Sequence, residues 1–252
     1  MSQRTAHTRL MARAFALTAI GVFLLGSAAT MAAEPAPGEK PAPVLGGVRI
    51  LPDKQGLQIE GRVARAEGIL DFLAVVEGGR EYESVLSLNC RPSALHAALL
   101  AMGAKPGPTP EYIKWLAENP DKKPANAPDK PGSALLIDVE WKDADGNMKK
   151  TSANSLLYNR RTKKAETVVN PWTFTGSVFY KDIEGKTAYG ADVNGAVISV
   201  TPEDSVIQLG WQAGNPYDAE DQGFAVNTDA IPKAGTPVLV TLRLTPPPDK
   251  KD

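Results

Sequence analysis

About ten short strand-length segments make up most of this chain, several of them alternating apolar and polar residues with a period of two, and Gly, Pro, Asn and Asp punctuate the intervals. That period sends successive side chains to opposite faces of a strand, so each such segment reads as a strand with one buried face. Segments 48–51, 57–64, 82–88 and 134–142 carry the pattern; 148–151, 172–180, 206–209 and 238–244 read as further strands, and 155–158 as a weak strand or turn. Segment 69–76 is almost continuously apolar over a strand's length, which predicts a central strand covered on both faces. Glu77-Gly78-Gly79-Arg80 follows it as a turn, since paired glycines supply the positive φ angles of a tight reversal. Asp143-Ala144-Asp145-Gly146-Asn147 is a hairpin turn, and Asn194-Gly195 within 190–200 is the strongest short hairpin signal in the chain.

One segment has a clear helical period and both punctuation marks. Over 92–102, Pro92 suits the first helical turn and Gly103 the position just past the end. Leu95, Leu99 and Met102 form one face, with His96 and Leu100 on its flank. Residues 106–131 read as a Pro/Lys/Asp-rich surface insertion with a short helix over 111–118, residues 215–232 as a polar loop, and 246–252 as a disordered tail. One helix among these strands predicts an α+β domain over 47–245: a mostly antiparallel or mixed β-sheet with long polar loops.

The N-terminus carries an address. Arg4, Arg9 and Arg13 precede an uncharged run, and small residues follow up to Ala33 before Glu34-Pro35-Ala36-Pro37. That order predicts a secretory signal peptide over 1–33, cleaved near Ala32 or Ala33, and a periplasmic or secreted protein with no stable membrane anchor after cleavage. An uncleaved anchor is the alternative, since the run is about as long as the ~20 residues a spanning helix needs. Residues 34–46 form a Pro-rich linker. Without 1–33 the net charge is −4, since three of the 28 basic residues and none of the 29 acidic ones leave. A weakly acidic domain has no electrostatic footprint for nucleic acid or anionic lipid. Cys90 is the only cysteine, so no internal disulfide staples the fold and a packed core must hold it.

Four stretches taken together resemble a known family: Ile69 to Ser84 (ILDFLAVVEGGREYES), Arg91 to Gly103 (RPSALHAALLAMG), Asn170 to Ser177 (NPWTFTGS) and Ala191 to Ser199 (ADVNGAVIS). Their ordered combination, spanning roughly 48–209, resembles the YdjY-like domain of exported bacterial proteins. The resemblance implies a fold and a compartment, with no established activity to inherit. Some members carry an iron–sulfur segment. Such a cluster needs four cysteine ligands, so this chain holds none.

Several residues offer chemistry. Glu77, Glu81 and Glu83 lie around the glycine turn, and His96 sits on the following helix. Convergence of Glu77, Glu83 and His96 would bind a divalent metal or act in acid–base chemistry. The plain alternative is a helix-capping Glu83 and a half-buried His96. Cys90 ahead of the helix, paired with His96, would be a nucleophile and base, though no orienting third group is identifiable; a small buried thiol is the simpler reading. The Asp143 turn lacks the full calcium-loop pattern. Asp218, Glu220 and Asp221, near Trp211 and Tyr217, form an acidic loop. Trp172, Phe174, Phe179 and Tyr180 make an aromatic strand, either core or a partly open groove for an amphipathic ligand centred on Trp172 and Phe174. No Gly-x-Ser-x-Gly elbow and no phosphate-binding glycine loop occur. The expectation is therefore a non-catalytic exported domain that binds a small-molecule ligand or a protein partner. The alternative is a metal site on Glu77, Glu83 and His96 with a hydrolytic or redox-accessory role.

Overall fold

A computed structural model describes residues 44–52, 55–109, 118–119, 132–166, 172–209 and 223–245. The predicted helix at 111–118 and the acidic loop at 218–221 lie almost wholly outside the described residues.

The first half supplies β1 (Val44–Leu45), β2 (Val48–Ile50), β3 (Leu57–Val63), β4 (Ile69–Leu70), β5 (Phe72–Val76), β6 (Ser84–Leu88) and helix α1 (Pro92–Ala101). The second half supplies β7 (Ala134–Lys142), β8 (Met148–Ser152), β9 (Leu157–Asn159), β10 (Lys164–Ala165), β11 (Trp172–Phe174), β12 (Phe179–Lys181) and β13 (Thr187–Tyr189). Helix α2 (Gly190–Asn194), β14 (Ala196–Ser199), β15 (Ile207–Leu209), β16 (Phe224–Val226) and β17 (Pro237–Leu244) complete the described elements.

The α+β expectation is corrected. The protein is mostly β, with 43 % strand and 14 % helix, and its main sheet closes into an eight-stranded barrel. The strand order is β3-β17-β7-β11-β15-β14-β5-β6, closed by β6 pairing with β3. Alternation and one helix fix the element types but leave open whether a sheet needs a helical layer. A closed sheet buries its apolar face against itself, so α1 becomes a satellite packed on β1, β2 and α2 rather than a second layer. The core lies inside the barrel and beneath α1, with Trp172, Phe174, Leu57, Ile59, Leu73 and Leu95 among its fully buried side chains.

Two turns differ from expectation. The Glu77–Arg80 glycine turn does not make a hairpin: β5 and β6 pair in parallel, Phe72 opposite Ser84 and Val76 opposite Leu88. Parallel neighbours usually need a dozen or more connecting residues. Here residues 77–83 return the chain by a left-handed Gly78 (φ 77°) and a 3₁₀ turn over Glu81–Glu83. Asn194-Gly195 likewise ends α2 instead of turning a hairpin, with Gly195 left-handed at φ 76°. A hairpin and a helix C-terminus both use a positive-φ glycine, so the dipeptide alone does not separate them. The Asn194 carboxamide settles the choice by donating to the Asp204 carbonyl (2.8 Å) and accepting from Ala196 N–H (2.8 Å).

Helix α1 follows its sequence signals closely. Gly103 (φ 84°) donates to Leu100 O and Ala104 to Leu99 O, the two bonds of a Schellman cap. Its N-terminus is closed by Asp192 of α2, which no local pattern announces. The Asp192 carboxylate accepts from Ser93 N–H (2.7 Å), Ser93 Oγ–H (2.6 Å) and Arg91 Nε–H (2.9 Å).

Candidate functional site

Glu77 and Glu81 have Arg62 and Ser87 as common neighbours, whereas Glu83 and His96 answer to others. Glu77 is exposed beside Arg62, Ser87 and Asn89, lining an open surface cavity of about 260 Å³. Glu81 is a structural hub. Its carboxylate accepts from Gly78 N–H (3.0 Å), Ser87 Oγ–H (2.8 Å) and both ways from Arg62 Nη2 (2.9 Å), which pins the short crossover. Partial burial would raise its pKa, but those donors outweigh it and hold the carboxyl below its ordinary range.

Glu83 belongs to a third place. Arg80 lies over the Phe72 ring at 4.2 Å, 3.4 Å from Glu83 and 3.3 Å from Glu203. Asp71 hydrogen-bonds Glu83, and burial, followed by the neighbouring carboxylates, raises the pKa of both. Among the described residues no group of three or more His, Cys, Asp or Glu side chains is placed to hold a metal ion.

His96 stands in an aromatic setting. Its ring meets Phe174 at 5.0 Å, Tyr189 at 5.4 Å and Phe179 at 6.4 Å, all edge-on. Gly176, left-handed at φ 65°, passes so close that an added Cβ would lie 3.0 Å from His96 Cε1. His96 Nδ1 lies 2.8 Å from the Tyr189 hydroxyl, which accepts from Ser177 N–H at 3.1 Å. Burial lowers the His96 pKa and raises that of Tyr189. The network continues beyond Tyr189. Ser177 Oγ accepts from Ala191 N–H (2.8 Å) and bonds Asp204, whose carboxylate also accepts from Val178 N–H (3.3 Å). Cys90 takes no part. It is partly buried, and desolvation followed by the Asp192 charge pushes its thiol up to about 12, which removes the thiolate a nucleophile requires.

Trp172 and Phe174, expected as either core or groove, are fully buried, and the Trp172 indole donates to Asn154 Oδ1 at 3.1 Å. The aromatic segment is broken at Gly176 into two strands that part company. β11 enters the barrel, while β12, among the described residues, pairs only with β13 in a separate two-stranded hairpin. On that hairpin Phe179 is 66 % exposed and Ile183, at the tip, is fully exposed; Tyr180 and, in the adjoining α2, Val193 are also exposed. Ile183 lies outside the sequence-derived candidates. A single apolar residue in a turn carries no periodic signal, and only the tertiary fold reveals that none of the described residues covers it.

A family model described as the YdjY domain matches residues 54–243, a span that takes in the whole barrel. No curated protein and no solved structure matches the chain.

Proposed function

The chain belongs to the YdjY family, and on that footing we propose that it is an exported binding protein whose contact element for a protein partner is the β12–β13 hairpin. The observation that carries this is the exposure of Phe179 and Ile183 on a hairpin that, among the described residues, joins no other sheet. Clustered exposed apolar side chains on a soluble domain are a mark of interaction surfaces. Export is supported by the positively charged, then apolar, then small-residue order of residues 1–33. A small-molecule groove on Trp172 and Phe174 gains no support, because neither side chain reaches the surface. A metal-dependent function on Glu77, Glu83 and His96 gains none either, because their side chains engage separate neighbours.

The test is site-specific photo-crosslinking in cells of the native host. The crosslinking residue is placed at position 183, or at the exposed control position 145 in the Asp143–Asn147 turn. The expected result is a discrete adduct from 183 that is absent from 145 and lost in a Phe179→Ser background. No adduct at 183, or the same adducts from both positions, refutes the proposal.

A further inference from the structure

We propose that His96 is an acid-sensitive latch that holds the β12–β13 hairpin against helix α1, so that acidification frees the hairpin. Its regulatory meaning rests on the hairpin being the docking element; the latch itself does not.

An isolated two-stranded hairpin is marginal in water, so the ties at its base decide whether it is ordered. The described ties are few. Gly190 N–H donates to Val178 O (2.8 Å), Asp204 accepts from Val178 N–H (3.3 Å) and bonds Ser177, the Phe179 ring packs on Tyr189 (4.9 Å), and the Tyr189 hydroxyl joins Ser177 N–H to His96 Nδ1. Asp204 ties the base to the 200–206 crossover, whereas His96 is the contact in this set that comes from α1, and its imidazole is the side-chain type that titrates in the mildly acidic range.

The hydrogen-bond inventory fixes how it works. The Tyr189 oxygen accepts from Ser177 N–H, and among the described residues His96 Nδ1 is the acceptor within reach of its own proton. The network therefore assigns the neutral imidazole that carries its proton on Nε2. Protonation makes both ring nitrogens donors. The phenol must then turn its proton away, and among the described residues it has no other acceptor within bonding distance. Among the described residues the new charge also arises without a counterion. β11 presents Phe174 to the ring, the following turn presents Gly176, β12 presents Phe179 and β13 presents Tyr189. The nearby carboxylates act on Tyr189 and are committed elsewhere: Asp192 to Ser93 and Arg91, Asp204 to Ser177 and Val178. Burial holds the folded-state His96 pKa below its ordinary 6.5. The latched state is therefore at full strength above that value. It weakens as the pH falls below 6.5, until the pH has passed the folded-state value.

The experiment is amide hydrogen exchange on the free protein at pH 7.5 and pH 5.0, corrected for intrinsic rates. Residues 179–189 are compared with β3 and β17 in the wild type, His96→Asn and Tyr189→Phe. His96→Asn retains an acceptor near Nδ1 but does not titrate, and Tyr189→Phe removes the hydroxyl while keeping the ring. Wild-type hairpin protection is expected to drop severalfold at pH 5.0, with β3 and β17 unchanged. His96→Asn is expected to keep the same protection at both pH values, and Tyr189→Phe to show low protection at both. Equal wild-type protection at the two pH values overturns the latch, as does a wild-type-like pH response in His96→Asn. If His96→Asn does not fold, Tyr189→Phe decides, because a further acid loss there as large as that of the wild type also overturns it. No partner is present, so failure of the latch and failure of the docking proposal are separate results.

Discussion

Removal of the Asp192 carboxylate is expected to destabilise the protein far more than a surface acid would. Its side chain is only 16 % exposed and accepts three hydrogen bonds of 2.6–2.9 Å, two of them from Ser93 at the second position of α1. Ser93 N–H is one of the donors every helix N-terminus leaves without an internal partner, and losing such a cap costs about 1 kcal/mol. A hydroxyl bond to a carboxylate adds roughly 1.5 kcal/mol. The Arg91 contact adds little, since that side chain is 72 % exposed. Asp192→Ala should therefore lose about 2–3 kcal/mol, which for a domain of this size lowers the melting temperature by roughly 5–10 °C. Asp192→Asn keeps an acceptor and should lose about 1 kcal/mol, the charge–dipole share. Burial opposes the charge on Asp192, but the Ser93 and Arg91 donors outweigh it and hold the carboxyl below its ordinary 3.8. Its contribution is thus complete above that unfolded value and fades as the pH falls through the folded one. The gap between wild type and Asp192→Asn should therefore close in acid. Thermal and denaturant unfolding at pH 7 and below pH 4 measure both effects. An Asp192→Ala variant within 0.5 kcal/mol of wild type at pH 7 would falsify the assignment of Asp192 as the α1 cap.

Three further outcomes follow from the same structure. Glu81→Ala leaves Gly78 N–H and Ser87 Oγ without their acceptor and should cost about 2 kcal/mol in denaturant unfolding; an unchanged midpoint would show the crossover is held otherwise. Asp71→Asn should stabilise the protein by about 0.5 kcal/mol at pH 8 and by nothing at pH 4. The Asp71 and Glu83 pKa values are raised, so their shared proton favours folding below the ordinary carboxyl range and is lost as the pH rises; an equal gain at both pH values contradicts this. Gly190→Ala puts a Cβ 2.1 Å from Asp204 Oδ2 and 2.9 Å from Ser177 Oγ, an overpacking expected to cost about 1–3 kcal/mol. A melting temperature equal to that of wild type would show that Asp204 yields freely.

What was legible in the sequence is what depends on neighbours along the chain. The Pro92 start and Gly103 stop of α1 are both observed, as are the limits of β7 and the Asp143 turn, whose carboxylate accepts from Asp145 and Asn147 N–H. What failed depends on distant partners. Barrel closure rests on β6 finding β3 and β17 finding both β3 and β7, and alternation is blind to such pairings. The glycine turn after β5 and Asn194-Gly195 both signal reversals in the sequence, because a local pattern reports a φ angle, not the direction in which the next strand pairs. Among the site residues, His96 was visible as a flank position, whereas Tyr189, Ser177 and Asp204 carry no spacing that announces their meeting.

The acids that make the sequence look chemical are better explained by the barrel's connections. β5 and β14 pair antiparallel, and each is followed by a short crossover to a parallel neighbour: residues 77–83 lead to β6 and residues 200–206 to β15. The two crossovers therefore stand in a locally two-fold arrangement about the β5–β14 pair, and Arg80 of one bonds Glu203 of the other. A return this short leaves polar groups near the sheet surface that hydrogen bonds must satisfy. Glu81 and Glu83 serve that need in the first crossover, through Gly78, Ser87, Arg62 and Arg80. In the second, Ser199 Oγ donates to Thr201 O (2.6 Å) and Ser205 Oγ to Ile207 O (2.9 Å). Carboxylates committed in this way are poor candidates for a reaction, because using one would release a crossover. The hairpin bears no such duty: it pairs with no barrel strand, so substitution at Phe179 or Ile183 can alter what it contacts while leaving the barrel's hydrogen bonds in place.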